Sequence, residues 1–73
     1  MIVSIQGDHI RLDQLLKLAS IVDSGGMAKY LITEGYVSIN RELVNQRGKK
    51  VYKGDLVEVY IPEEEVRTRI KVE

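Results

Sequence analysis

The 73-residue sequence contains no cysteine, no tryptophan, no phenylalanine and a single proline. Without cysteine it has neither disulfide bonds nor thiolate ligands for a structural metal, two devices that stabilise many domains of this size. It also lacks the run of about 20 apolar residues that a transmembrane helix needs. The opening residues, MIVSIQGDHI, lack the pattern of a signal peptide. We therefore expect a soluble, monomeric, cytoplasmic protein with a small core and no contact with a membrane.

The sequence has no excess of charge of either sign, because 11 Lys and Arg residues balance 11 Asp and Glu residues. A zero net charge argues against a protein that coats nucleic acid indiscriminately. The distribution is nevertheless uneven: residues 58–65 contain four glutamates and no basic residue, whereas residues 41–53 contain one glutamate and five basic residues. The basic residues are Arg41, Arg47, Lys49, Lys50 and Lys53. The pattern predicts a positive pole on an otherwise neutral molecule.

Residue sets that could support catalysis are absent. His9 is the only histidine, and with no cysteine or second histidine to join it we expect a structural or solvated role. Glu63, Glu64 and Glu65 are consecutive, and carboxylates on an extended chain cannot all point at one ion, which favours an exposed acidic turn. The stretch SGGMAK lacks the spacing of a phosphate-binding loop of nucleotide-binding proteins. We predict a protein that is not an enzyme and needs no metal or cofactor.

The first half of the sequence predicts one strand and two helices. Residues 1–6 are β-branched and roughly alternating, which favours a strand. Apolar residues then recur at helical spacing from Leu12 to Val22. Ser24 is a suitable N-cap for a second helix, and Gly35 supplies its left-handed end. The residues of this helix predicted to face the core are Met27, Ala28, Leu31 and Ile32.

The second half changes to a period of two. The stretches YVSI and ELVN flank Asn40 and Arg41, which predicts a hairpin with a two-residue turn; Asn accepts a positive φ more readily than Arg. KGD at 53–55 predicts another turn, between VY and LVEVYI, and Pro62 ends the latter strand. Basic residues occupy every second position from 66 to 72, and this regular alternation is the pattern of a half-exposed strand.

These elements predict one α+β domain spanning residues 1–73, with two N-terminal helices packed on a small, mostly antiparallel sheet. In the final strand Val66, Thr68, Ile70 and Val72 would share one face. Arg67, Arg69 and Lys71 would occupy the other, as in any half-exposed strand, and we do not include them in a binding site.

Several stretches, in this order and at these spacings, resemble the S4 domain, the small RNA-binding module named after the fourth protein of the small ribosomal subunit. They are RLD at 11–13, Ser24 with Ala28, LITEGYVSIN at 31–40 and KGDLVEV at 53–59. The resemblance covers residues 11 to about 60 and implies an αL RNA-binding motif that binds structured RNA without catalysis. It implies ribosomal RNA, during ribosome assembly or in a ribosome-associated complex, or transfer RNA. The chain resembles free-standing bacterial members of the family.

The sequence departs from the family pattern at two places. An Arg commonly follows the Ser of the second helix and another follows the Ala, whereas this chain has Gly25 and Lys29 there. The hairpin of the family usually turns through Asn-Gly, whereas this chain has Asn40 followed by Arg41. One expected cation is missing at the second helix, and one is gained at the hairpin tip.

The predicted RNA-binding surface would meet phosphates by charge and shape. Backbone amides at the N-terminus of the second helix can donate to a phosphate, and basic side chains of the first helix and the RGKK loop would lie beside them. The full predicted set is Arg11, Lys17, Gly25, Gly26, Lys29, Asn40, Arg41, Arg47, Lys49 and Lys50. We expect the four tyrosines to be core or half-buried residues rather than stacking platforms for bases.

Two other interpretations are compatible with the same residues. The stretch NQRGKKVYKGD could be a solvated turn whose charges keep an edge strand from pairing with neighbours. Alternatively, the protein could be an adaptor whose basic surface meets an acidic protein partner.

Overall fold

The computed structural model describes all 73 residues, in a body of 33 × 21 × 19 Å. In chain order the elements are β1 (Ile2–Val3), β2 (His9–Arg11), α1 (Leu12–Leu18), α2 (Gly25–Thr33), β3 (Val37–Ile39), β4 (Glu42–Leu43), β5 (Lys50–Tyr52), β6 (Leu56–Ile61), a 3-10 turn (Pro62–Glu64) and β7 (Val66–Val72). The α+β class is confirmed. The helices follow two short strands, so their predicted place at the N-terminus needs correction.

Two sheets organise the strands. Five strands form the larger sheet in the order β1-β7-β6-β3-β4, and every pair in it is antiparallel except β1 with β7. The second sheet contains only β2 and β5, which are antiparallel. A mostly antiparallel sheet was therefore predicted correctly, although its division into two was not.

The larger sheet has one covered and one open face. Its covered face contributes fully buried valines and isoleucine, which share one core with the leucines of α1 and with Ile32 of α2. The fully buried sheet residues are Val37, Val57, Val59, Ile70 and Val72. Since side chains alternate along a strand, the intervening residues of β6 and β7 point away from the helices. Tyr60, Arg67 and Arg69 are among those left exposed.

The two helices start and end for identifiable reasons. The Ser24 hydroxyl accepts a hydrogen bond from the Met27 amide at 3.2 Å, and Gly35 has φ +81°, so both predicted ends of α2 are confirmed. Met27 was wrongly predicted to face the core; it lies in the first turn of α2 and is 47% exposed. Helix α1 is shorter than predicted, because the chain turns through Ser20 at φ +60° and Val22 is buried from a loop.

Both predicted turns are present. Asn40 and Arg41 have φ +50° and +72°, the signs required by a type I′ hairpin between β3 and β4. Gly54 has φ +97° in the KGD turn. The strand before that turn, β5, pairs with β2 instead of with β6. The final strand β7 alternates as predicted, with Arg67, Arg69 and Lys71 exposed.

The longest helix, α2, has nine residues, and neither helix is long and apolar enough to cross a membrane.

Candidate nucleic-acid interface

The stretch between β4 and β5, together with the first residue of β5, carries Arg47, Lys49 and Lys50; we call residues 45–50 the basic loop. Its backbone is held against the start of α1. The Leu12 amide donates to the Lys49 carbonyl at 2.8 Å, and the Asp13 amide donates to the Arg47 carbonyl at 3.1 Å.

The first amides of a helix have no partner within the helix, and α1 has no side-chain N-cap. The loop carbonyls therefore act as the cap of α1. Because these bonds use main-chain atoms only, the loop is fixed while its basic side chains remain exposed.

Pairing of β2 with β5 adds a fourth cation to this loop. Arg11 lies directly opposite Lys50 in the register of the two strands. The Arg11 side chain is 53% exposed. Its guanidinium lies beside Gly48 and contacts the Asp13 carboxylate, with Nη2 at 3.1 Å from Oδ2. Like charges directly opposite each other destabilise a strand pair, so these two cations do not stabilise the pairing of β2 with β5.

A cleft of about 460 Å³ lies beside the basic loop. Asn40, Lys49, Lys50 and Tyr52 are among its lining residues. Tyr52 is 46% exposed, so the prediction that the tyrosines are core or half-buried residues is wrong for it. The alternation of β5 gives the reason: Val51 is fully buried, which directs Tyr52 outwards.

The other three tyrosines differ in their exposure to solvent. Tyr36 is half-buried as predicted, whereas Tyr30 and Tyr60 are exposed by 48% and 43%. Of the four, only Tyr52 lines the cleft beside the basic loop.

His9 lies at the edge of the same surface. Its ring is 5.7 Å from the Tyr52 ring between centroids, and its Nδ1 lies 2.8 Å from the Asp8 carboxylate. The hydrogen bond with His9, and then its charge, lower the pKa of Asp8, with a smaller effect from Lys50. The structure places His9 in β2. The sequence pattern did not predict this strand, because three residues are too few to show a period.

A second set of predicted residues lies near the N-terminus of α2. Gly25 and Gly26 open this helix, and apart from adjacent residues and the backbone of the helix itself no atom lies within 4 Å of where a Cβ would stand on either. Their φ angles are not positive, so nothing inside the protein requires glycine at these two positions. Met27 and Lys17 line a shallow cleft of about 430 Å³ that also includes Asp23.

Helix α1 connects the two sets. Arg11 and Lys17 are six residues apart at its two ends, which is about 9 Å along a helix axis. Lys29 is exposed in the first turns of α2. The structure therefore arranges eight of the ten predicted residues in two groups at the two ends of one short helix.

The remaining two predicted residues lie in the hairpin turn. Both polar atoms of the Asn40 side chain are used within the protein: Nδ2 donates to Asp55 at 3.0 Å, and Oδ1 accepts from the Leu56 amide at 2.9 Å. The Arg41 guanidinium contacts Glu58 of β6, with Nε at 3.1 Å from Oε1. The side chain of Glu58 belongs to the open face of the sheet, so Arg41 is directed to that face and away from the basic loop.

The family model described as the S4 domain matches residues 3–69. The probable ribosome maturation protein RlbA of Bacillus subtilis (strain 168) is 49% identical over 57 residues, which cover 78% of this chain and 80% of that protein. The match to the family model spans both helices and all but the ends of the sheet. The chain belongs to the S4 domain family.

Proposed function

We propose that this protein is a non-catalytic RNA-binding module that recognises structured ribosomal RNA during ribosome maturation. The observation that carries the proposal is the basic loop, whose backbone is bonded to the start of α1 while Arg47, Lys49 and Lys50 stay exposed beside Arg11. Four cations are concentrated in this way, and Arg11 is the only one of them that contacts a carboxylate, that of Asp13. Such a cluster suits the phosphates of a nucleic acid.

The two ends of α1 supply different kinds of contact. At its start, the basic loop and Arg11 would neutralise phosphates by charge. At its other end, Lys17 and Lys29 would flank the amides of Gly25 and Gly26, which can donate to a phosphate that comes close because no side chain covers them. Such contacts read the shape of a folded RNA rather than its sequence.

Asn40 would act indirectly in this scheme. Its bonds to Asp55 and to the Leu56 amide fix the hairpin turn beside the cleft that Lys49 and Lys50 line. Tyr52 lines the same cleft and is exposed, and in this scheme it would stack on a base that leaves the RNA helix.

The name of the Bacillus subtilis relative supports the choice of target. That protein is described as a probable ribosome maturation protein, and it shares half of the aligned residues with this chain. A protein with this role would act on the assembling subunit, in the bacterial cytoplasm. Transfer RNA is the other structured RNA that the family resemblance implies.

Replacement of Arg47, Lys49 and Lys50 by Ala tests the proposal. The loop is held to α1 through main-chain carbonyls, so the free energy of unfolding should change by no more than about 0.5 kcal/mol for each residue. The slope of log affinity against log salt should fall by about 2 to 3, because each lost phosphate contact removes roughly 0.7 to 0.9. Binding of structured ribosomal RNA fragments would be measured at several salt concentrations, and circular dichroism would show whether each variant is folded.

The matched control exchanges the same residues without loss of charge, as R47K/K49R/K50R, and should bind as the parent does. A triple Ala variant with unchanged affinity and salt slope would mean that the basic loop is only a solvated turn. Binding of an acidic polypeptide as strong as binding of RNA would favour the adaptor interpretation instead.

A further inference from the structure

The open face of the five-stranded sheet carries a second concentration of positive charge, separate from the basic loop. Every outward side chain of β7 is a cation: Arg67, Arg69 and Lys71 are all exposed. Arg41 joins them from the hairpin turn. The family resemblance did not include the three residues of β7, and the proposed function does not use them.

Glu58 organises the centre of this face. Its two carboxylate oxygens contact different arginines, Oε1 the Nε of Arg41 at 3.1 Å and Oε2 the Nε of Arg69 at 3.2 Å. One carboxylate therefore holds two guanidinium groups in place without neutralising both. Lys71 donates to the Gly54 carbonyl at 2.8 Å, a neutral partner that orients its ammonium group and leaves its charge uncompensated.

An exposed aromatic ring lies in the same face. Tyr60 of β6 is directly opposite Arg67 of β7, and the Arg67 guanidinium lies 4.5 Å from the centre of the Tyr60 ring. Tyr60 remains 43% exposed. A ring and a planar guanidinium held together in this way offer flat surfaces on which a base can stack.

We propose that the open face of the sheet binds a single-stranded segment of RNA, with the cations of β7 on its phosphates and Tyr60 against a base. Consecutive outward residues of a strand are about 6.6 Å apart, a spacing comparable to that of successive phosphates in an extended nucleic-acid strand. Cations that track a backbone beside an exposed aromatic ring are the usual features of a protein surface that binds single strands.

The composition of the face favours RNA over a protein partner. A protein interface has an apolar centre and a polar rim. Here the centre is the group formed by Arg41, Glu58 and Arg69, whereas the large exposed apolar residues Ile2 and Leu43 lie on β1 and β4, the two opposite edges of the sheet. The face has the reverse of the pattern that a protein partner would need.

The first experiment uses the unmodified protein. A 10-nucleotide uridine oligomer would be titrated into isotopically labelled protein, and the amide resonances would be followed by NMR. We expect the largest shifts at Tyr60, Arg67 and Arg69, with smaller ones at the basic loop. Shifts confined to the basic loop and the start of α2 would overturn the proposal.

Two variants then test the chemistry of the face. Neutralisation as R67Q/R69Q/K71Q should lower the salt slope for the uridine oligomer by about 2, since each contact with a single strand contributes about 0.7. Tyr60→Leu should weaken binding of the oligomer by about tenfold through loss of stacking. The control variant R67K/R69K changes two of the same side chains but keeps their charge, and should therefore retain the salt slope. A lower slope in R67Q/R69Q/K71Q alone is then an effect of charge and not of a change in folding.

The basic-loop variant R47A/K49A/K50A distinguishes this proposal from the proposed function. It should lose affinity for structured RNA while the oligomer still shifts the amides of β6 and β7. Unchanged oligomer binding by both R67Q/R69Q/K71Q and Tyr60→Leu would overturn the sheet-face site. Stronger binding of polyglutamate than of the oligomer to the parent protein would overturn it too, in favour of an acidic protein partner.

Discussion

The hairpin turn between β3 and β4 places two neighbouring residues in left-handed conformations, and only one of them is suited to it. Asn40, at φ +50°, tolerates this region and uses its side chain to bond Asp55 and the Leu56 amide. Arg41, at φ +72°, has no such local bond, and a left-handed residue with a Cβ costs about 1 to 2 kcal/mol. Arg41 therefore occupies a strained position whose benefit has to lie outside the turn.

Arg41→Gly should stabilise the fold by about 0.5 to 1 kcal/mol. The gain from relief of the left-handed strain exceeds the loss of an exposed ion pair with Glu58, which contributes about 0 to 1 kcal/mol. Arg41→Ala loses the ion pair but keeps the strain, and should be less stable than the Gly variant by about 1 kcal/mol. Urea denaturation of the three proteins measures the order; a Gly variant no more stable than the Ala variant would contradict the strain argument.

A hydrogen bond connects Tyr36, which lies between α2 and β3, to Glu63 in the acidic turn at residues 63–65. This bond changes the pKa of both partners. The Tyr36 hydroxyl donates to Glu63 at 2.5 Å, which lowers the pKa of Glu63 and raises the pKa of Tyr36. A carboxyl group whose pKa is lowered on folding stabilises the protein above its unfolded pKa. That contribution is lost as the pH falls through the lowered, folded value.

Tyr36→Phe should therefore raise the pKa of the Glu63 carboxyl towards its ordinary value. It should also make the stability of the variant and the parent converge as the pH falls through the acid range, because the bond is lost in the parent there. NMR titration of the glutamate side chains measures the first effect and thermal unfolding at several pH values the second. A Glu63 pKa that does not move in the variant would show that the hydroxyl is not the cause.

The sequence predicts the ends of α2 and the turns correctly, because these depend on neighbouring residues. It does not predict which strands pair when they are distant in the chain. Ser24, Gly35 and the Asn40 turn act on residues next to them, and the structure confirms all three. By contrast, β2 and β5 have three residues each, too few to show a period, and they pair across about 40 residues of chain. The sequence pattern located the cluster of cations in residues 45–50, whereas the attachment of this loop to α1 depends on that distant pairing.

Helix α2 begins with two glycines, Gly25 and Gly26, that the fold does not require. Gly25→Ala with Gly26→Ala should stabilise the protein by about 0.5 to 1 kcal/mol, since the new methyl groups meet no atom of the surrounding elements within 4 Å and glycine disfavours the helix. The same methyl groups should hinder a phosphate from approaching the amides, so affinity for structured RNA should fall. Thermal unfolding and RNA binding would be measured on the same samples. A variant that gains stability and keeps full affinity would remove the start of α2 from the RNA-binding surface.

The whole molecule is neutral, yet its charges are separated in space. The basic loop and the open sheet face are rich in cations, whereas Glu63, Glu64 and Glu65 occupy the turn between β6 and β7. That turn joins the strands that carry Tyr60 and Arg67, so its carboxylates border the sheet face. A field of this kind attracts a phosphate backbone to particular surfaces and weakens non-specific binding elsewhere.

Removal of two of these carboxylates should speed the association of RNA with the sheet face. The variant E64Q/E65Q raises the net charge from zero to two, and both side chains are exposed, so the fold should be unchanged. Glu63 is kept because it accepts the bond from Tyr36. Association with the uridine oligomer should become faster at low salt, and the difference from the parent should disappear as salt screens the charges. The control E64D/E65D keeps the charge and should associate at the parental rate. If E64Q/E65Q and the parent associate at equal rates at low salt, the acidic turn does not limit access to the sheet face.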